Sequence, residues 1–281
     1  MRISNNVAAM NTYRQYNSNA VATNKSMEKL SSGSRINRAA DDAAGLSISN
    51  KMRSQIRGLT QANRNAQDGV SFIQTAEGAL NEVSDMLTRL KELSVQVQNG
   101  TYSDDDKTNI GSEMKALGTA ITEIYTNTKF NGIAVFGAQS GTTNLTTAAP
   151  GTAATIKYGE DASQSITIAG ATVTNLILLT AETATADTVP ADVTVSLVEN
   201  AITEVNTTRA GYGAQQNQLE HASNNMATTK ENLQSAESRV RDVDMAEEMM
   251  NYTKNNILLQ AAQSMLAQAN SQPQGVLQLL Q

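Results

Sequence analysis

From Asp42 to Val97 the chain carries a near-continuous apolar series with no proline to interrupt it. Alternating steps of four and three lead through Met52, Ile56, Leu59, Asn63, Ala66, Val70 and Ile73. The series then moves to a neighbouring line through Ala76, Leu80, Val83, Leu87, Leu90 and Val97. This spacing follows the 3.6-residue repeat and predicts one amphipathic helix. At 1.5 Å per residue such a helix is roughly 80 Å long, more than a compact domain of this chain length accommodates along one axis. Its apolar line requires a partner helix.

Composition supports thin helix-to-helix seams over a wide core. A length of 281 residues suggests about two domains, yet there is no tryptophan or cysteine and only three phenylalanines and three prolines. The net charge of −6 argues against a nucleic-acid backbone as partner of the whole chain. Charge is unevenly placed: residues 1–60 hold nine Lys/Arg against three Asp/Glu, and the remainder holds 12 against 24. A basic arm and an acidic body favour pairing between parts or copies of the chain. Met1–Ile3 runs into Ser4-Asn5-Asn6 with no apolar segment of a secretory signal. The longest aliphatic run, Leu176–Leu179, is too short to span a membrane. Taken alone, these features predict a cytoplasmic chain without membrane or nucleic-acid partners.

Residues 5–30 read as a first helix with a sparse stripe of Val7, Met10, Tyr13, Ala20, Met27 and Leu30, marginal in isolation. Gly33 suits the left-handed position after a helix end. Asp41 and Asp42 place carboxylates where the long helix begins. Next come the stretches Leu30-Ser31-Ser32-Gly33-Ser34-Arg35-Ile36-Asn37, Asp41-Asp42-Ala43-Ala44-Gly45 and Gly58-Leu59-Thr60-Gln61-Ala62. Arg64-Asn65-Ala66-Gln67-Asp68-Gly69 and Thr75-Ala76-Glu77-Gly78-Ala79-Leu80 follow them. In residues, order and spacing these stretches resemble the N-terminal signature of bacterial flagellins.

Beyond Val97 the chain turns at Asn99-Gly100, and Ser103 with Asp106 forms a capping-box variant. It opens a short helix with the stripe Ile110, Met114, Leu117, Ile121 and Ile124, which ends before the Asn131-Gly132 turn. Residues 133–196 shift towards a period of two in Ser165–Ile168 and Val193–Ser196, predicting short strands in an exposed insert. A second long helix follows from Leu197 to near Arg241, marked by Val198, Ile202, Val205, Tyr212, Leu219, Met226, Leu233, Ala236 and Val240. Gly211 and Gly213 within it suggest close approach of another helix. A last helix covers Met245–Asn270, with Ala246, Met249, Thr253, Ile257, Ala261, Ser264 and Ala267 on one side, widened by Leu258 and Met265. Ser271-Gln272-Pro273 is expected to break it ahead of the tail Val276–Leu280. Ser238–Ala246, Leu266–Asn270, Pro273-Gln274 and Val276-Leu277 again resemble flagellin, so the likeness covers about residues 1–137 and 197–281.

Catalytic constellations fail on inspection. His221 is the single histidine, so it supports neither a serine triad nor the two-histidine zinc site that some flagellins carry in their insert. Asp104-Asp105-Asp106 opens like a calcium loop, but Asn109 stands where glycine is required. Gly211-Tyr212-Gly213 lacks the third glycine of a dinucleotide fingerprint. No enzyme and no cofactor are expected.

The expected fold is mainly α: an elongated antiparallel coiled-coil or helical bundle of N- and C-terminal segments, with a small β-rich insert. Residues 1–41 and 242–281 would form an inner polymerisation domain, 42–132 and 197–241 the long-helix bundle, and 133–196 the outward insert. The resemblance implies self-association into a helical filament. Polymerisation is assigned to Val7, Met10, Met27, Leu30, Met249, Ile257, Leu258, Met265, Leu277 and Leu280. It further implies a flagellar export apparatus and chaperone, filament cap and hook-junction proteins, and the vertebrate flagellin-sensing Toll-like receptor as partners. Arg89, Leu93 and Gln96 share one helix stripe, about 100° from the Val83/Leu90/Val97 line, which predicts a flank position for Leu93. With Glu113 they match the residues through which flagellins meet that receptor. A hook–filament junction protein shares the terminal pattern, and a non-polymerising coiled-coil adaptor is a further alternative.

Overall fold

The computed structural model describes residues 6–136, 154–159, 164–168 and 194–279, the last seven of these by backbone alone. The fold is mainly α. Helices α1 (Val7–Ser32), α2 (Ala43–Val97), α3 (Asp104–Asn127), α4 (Val195–Arg241) and α5 (Met245–Leu279) carry most of the described residues. Two antiparallel hairpins pair β1 (Lys129–Phe130) with β2 (Ile133–Ala134), and β3 (Ala154–Lys157) with β4 (Ser165–Ile168). These residues group into two compact units, one from the two ends of the chain (up to Ile56 and from Glu231) and one from Arg57–Lys230.

In the Arg57–Lys230 unit, α2 and α4 run antiparallel. Asn63 Nδ2 donates to Ser223 Oγ at 2.9 Å, and Lys91 Nζ meets Glu199 at 2.9 Å, so contacts descend α4 as they ascend α2. The long apolar series of α2 lies where its spacing puts it: Ile73, Ala76, Leu80, Val83, Leu87 and Leu90 are fully buried. The matching line of α4 is Val198, Val205, Tyr212, Leu219 and Met226, all buried and each seven residues from the next. Gly211 and Gly213 admit no close neighbour among the described residues, since a Cβ at either would meet nothing within 4 Å. The inward member of that triplet is Tyr212.

Helix α3 starts with the full capping box: the Ser103 hydroxyl accepts from Asp106 N, and the Asp106 carboxylate accepts from Ser103 N. Its buried line contains Met114 and Ile121, with Tyr125 added at the end, where its ring stacks on Phe136 at 5.0 Å. Asn131 (φ 50°) and Gly132 (φ 80°) make the two-residue turn between β1 and β2.

Two expectations for the insert need correction. Val195 and Ser196 open α4 instead of lying in a strand, because Thr194 caps it: its carbonyl accepts from Leu197 N and Val198 N, and its hydroxyl from Leu197 N. Val193 lies outside the described residues. The β3–β4 hairpin is also less exposed than its composition suggests, with Ile166 and Ile168 buried in the core and Ile156 packed against it. Gly69 of α2 makes room for this: a Cβ there would sit 3.0 Å from Ile156 and 3.2 Å from Leu219. Asn65 Nδ2 donates to Lys157 O at 3.1 Å and fixes the same strand. Two residues of one signature stretch thereby hold the hairpin.

In the unit built from the chain ends, α1 and α5 pack antiparallel, tied by Asn6 to Ala269 at one end and Lys29 to Glu248 at the other. Gly33, at φ 69°, closes α1 with its N–H on Lys29 O. The two connectors then zip together: Arg35 N donates to Arg241 O, Val243 N donates to Gly33 O, and Ser34 bridges Asp242. Asp42 caps α2 by accepting from Gly45 N at 2.9 Å. Asp41 accepts from the backbone N–H groups of Asn37 and Arg38 and pairs with Lys25 at 2.8 Å. Lys25 first, and the Arg38 amide next, hold the Asp41 carboxyl down at about 2. Helix α5 does not break at Pro273 but continues to Leu279.

Candidate functional site

The α1–α5 pair has an unusual division of faces. Toward each other, α1 presents Ala9, Thr12, Tyr16, Asn19, Thr23, Ser26 and Leu30, spaced by threes and fours, all buried or half-buried. Helix α5 answers with Glu248, Tyr252, Asn255, Leu259, Ala262, Leu266 and Ala269 at the same spacing. The seam is therefore made mostly of small and polar side chains, and it contains the Lys29–Glu248 ion pair at 3.5 Å.

Most of the larger apolar residues point the other way, while Leu30, Leu259 and Leu266 lie in the seam. Val7 is 70% exposed, Met10 64%, Ile257 61% and Met265 60%, and Tyr13, Met27, Met249 and Leu258 are exposed as well. Every member of the α5 stripe from Ala246 to Ala267 read from the sequence is solvent-facing. The apolar stripe of each terminal helix thus lies mainly on the outside of the pair, with Leu30 and Ala20 the half-buried members in α1. Leu277 belongs to the part of α5 described by backbone alone, and Leu280 lies outside the described residues. Burying such side chains stabilises by about 1.5–3 kcal/mol each, so this surface can supply adhesion to a body beyond the chain.

A second cluster lies on α2 and α3. Arg89 Nε donates to Glu113 Oε1 at 2.9 Å, and its Nη1 donates to Glu92 Oε2 at 3.0 Å. The Glu113 hydrogen bond, followed by that of Glu92, raises the guanidinium above its ordinary pKa. Gln96 Nε2 reaches the Tyr102 hydroxyl at 3.2 Å. Leu93 departs from the expected flank position: it is 1% exposed and belongs to the core. The reason is α3. Glu113 bridges to Arg89 from that helix, and the adjoining Met114 is buried. The side of α2 about 100° from the main line is itself a helix-to-helix seam. Three expected surface residues stay accessible, and the fourth supports them from within.

His221 is exposed on α4. The Asp104–Asp106 carboxylates lie in the first turn of α3, where Asp106 completes the cap. The inward, mostly polar line of α1 escaped the sequence reading. The signal available was the 3–4 alternation of Asn19, Thr23 and Ser26, which apolar counting skips.

The chain matches known proteins over both terminal regions. The bacterial flagellin N-terminal helical region matches residues 3–141, and the bacterial flagellin C-terminal helical region matches residues 195–280. The flagellin of Bacillus subtilis (strain 168) is 47% identical over 306 residues, covering all of both chains. That of Halalkalibacterium halodurans is 47% identical over 285 residues, again covering both completely. The crystal structure of Bacillus cereus flagellin is 32% identical, covers 58% of this chain and 88% of that chain, and has a TM-score of 0.43. Two matched terminal regions and full-length relatives at this identity place the chain in the flagellin family, as a structural filament subunit and not an enzyme.

Proposed function

We propose that the outward apolar side of α1 and α5 is the polymerisation surface of a filament that drives swimming. One observation carries this reading: Val7, Met10, Met27, Met249, Ile257, Leu258 and Met265 are exposed, while the seam between their helices is filled mostly by small and polar residues. A pair with that arrangement gains most by meeting further copies. Each copy would meet the next through unlike surfaces, which generates an open helical polymer. In this reading residues 1–41 and 242–281 form the innermost layer, the long helices the next, and 133–196 the outside. Leu277 and Leu280 are assigned to the same role from the sequence. The filament lies outside the cell, and the subunit reaches it through a flagellar export apparatus with a chaperone masking the C-terminal helix; cap and hook-junction proteins adjoin it.

Seeded growth followed by negative-stain microscopy tests the reading. The full chain should give long filaments, and removal of both terminal segments should abolish them while the 45–240 body stays helical. Absence of filaments from the seeded full chain would favour a hook–filament junction protein or an adaptor. We further propose that the Arg89–Glu113 pair with Gln96 is a contact for the vertebrate flagellin-sensing Toll-like receptor, supported by the exposure of the pair. Leu93 then acts by holding α2 against α3.

A further inference from the structure

We propose that Asn6 is the residue that positions α1 along α5 for assembly, because it gives Ala269 the hydrogen bond that Pro273 withholds. The proposal rests on the filament reading above. In an α-helix the carbonyl of residue 269 accepts from the amide four residues on. That residue is Pro273, which has no N–H. Helix α5 nevertheless continues to Leu279. The missing donor comes from the opposite end of the sequence: Asn6 Nδ2 donates to Ala269 O at 2.8 Å.

The same side chain has a second duty. Its Oδ1 accepts from Ala9 N at 3.1 Å and caps α1. Ala9 N only donates and Ala269 O only accepts, so the two partners fix which way the amide faces. One asparagine therefore starts one helix and repairs the other, and it does both only at a single register of α1 against α5. A slip by one turn, about 5.4 Å, would lose the Ala269 contact. It would also displace Val7 and Met10 relative to Leu258 and Met265, changing the surface offered to the next copy. Lys29 and Glu248 hold the far end of the pair, but long charged side chains adapt to small shifts. The short amide of Asn6 does not.

The test is a double-mutant cycle on the full chain: wild type, N6S, P273A and N6S/P273A, each assayed for the critical concentration of seeded growth. Serine caps a helix about as well as asparagine but stops short of Ala269. N6S should raise the critical concentration about tenfold, the scale of a covered polar group left without its partner. P273A restores an amide to Ala269, so in that background the serine should cost less than about twofold. An equal effect of N6S in both backgrounds, or none in either, would overturn the role given to Asn6. The wild-type protein separates this failure from that of the filament reading. If it forms no filaments, that reading falls, and amide exchange over 265–272 in the four soluble proteins decides the Asn6 contact. Faster exchange in N6S than in wild type, absent between the two P273A proteins, supports it; equal rates overturn it.

Discussion

Arg89 and Glu113 join α2 to α3 at 2.9 Å on the surface, while Leu93, one turn along from Arg89, is buried in the core. An arginine-to-carboxylate pair of this exposure contributes little to stability, whereas a buried leucine truncated to alanine costs about 2–5 kcal/mol. Surface and core are thus separable by mutation at neighbouring positions. Arg89→Asp should lower affinity for the purified receptor ectodomain by more than about tenfold, with chemical denaturation nearly unchanged. Leu93→Ala should lose stability first. Undiminished binding by Arg89→Asp would remove this pair from the contact.

The exposed side of α5 predicts the opposite of a core mutation. Ile257→Asp places a charge on a residue that is 61% exposed, so monomer stability should change by no more than about 0.5 kcal/mol. Filament growth should fail or require at least about tenfold more subunit, because an unpaired charge would enter a desolvated interface. Normal polymerisation by this variant would mean that the stripe faces solvent in the filament too.

Gly69 tests how closely the β3–β4 hairpin is seated. An alanine methyl would come within 3.0 Å of Ile156 and 3.2 Å of Leu219, which requires both side chains to give way. We expect a loss of about 1–2 kcal/mol and faster amide exchange in Ala154–Lys157. Unaltered exchange there would show that the hairpin yields without cost.

The connector between α1 and α2 should be acid-sensitive in a defined window. Asp41 is held at about 2, below its ordinary value of 3.8, by Lys25 and the Arg38 and Asn37 amides. A depressed carboxylate contributes stability that is fully present above the unfolded value and is lost as pH falls through the folded one. Signals of residues 35–41 should therefore hold down to about pH 4 and change between about pH 4 and 2. In Asp41→Asn the connector should already be loosened at neutral pH, and that acid step should vanish.

What the sequence made legible follows from how local each cause is. Helix α2, the Ser103–Asp106 cap, the Gly33 termination and the Asn131-Gly132 turn depend on residues a few positions apart, and periodicity or turn chemistry exposes them. Four features depend on distant partners and stayed hidden. Pro273 reads as a helix end unless Asn6 is known to reach Ala269. Leu93 reads as a flank residue until α3 is placed beside it. Strand β3 is short, and its burial comes from a hairpin meeting Gly69 and Leu219. The apolar stripes of α1 and α5 were legible, but the line each helix turns to the other was not: it is mostly small and polar in α1, and in α5 it mixes Glu248 and Asn255 with Leu259 and Leu266. The surface pair Arg89–Glu113 was reachable only through family likeness, since nothing in local spacing links residues 24 positions apart.

The buried line of α4 carries a constraint on how this chain can change length. Val198, Val205, Tyr212, Leu219 and Met226 recur at intervals of seven, and a one-residue insertion rotates everything beyond it by about 100° around the helix. Such an insertion anywhere between Val198 and Met226 would turn the later members of the line toward water. Adding seven residues would restore their direction but lengthen α4 alone, leaving α2 short by two turns. Growth of this region therefore demands matched heptads in two segments of the chain, one on α2 and one on α4. The seam between α2 and α4 can thus change length only in steps that both helical repeats allow.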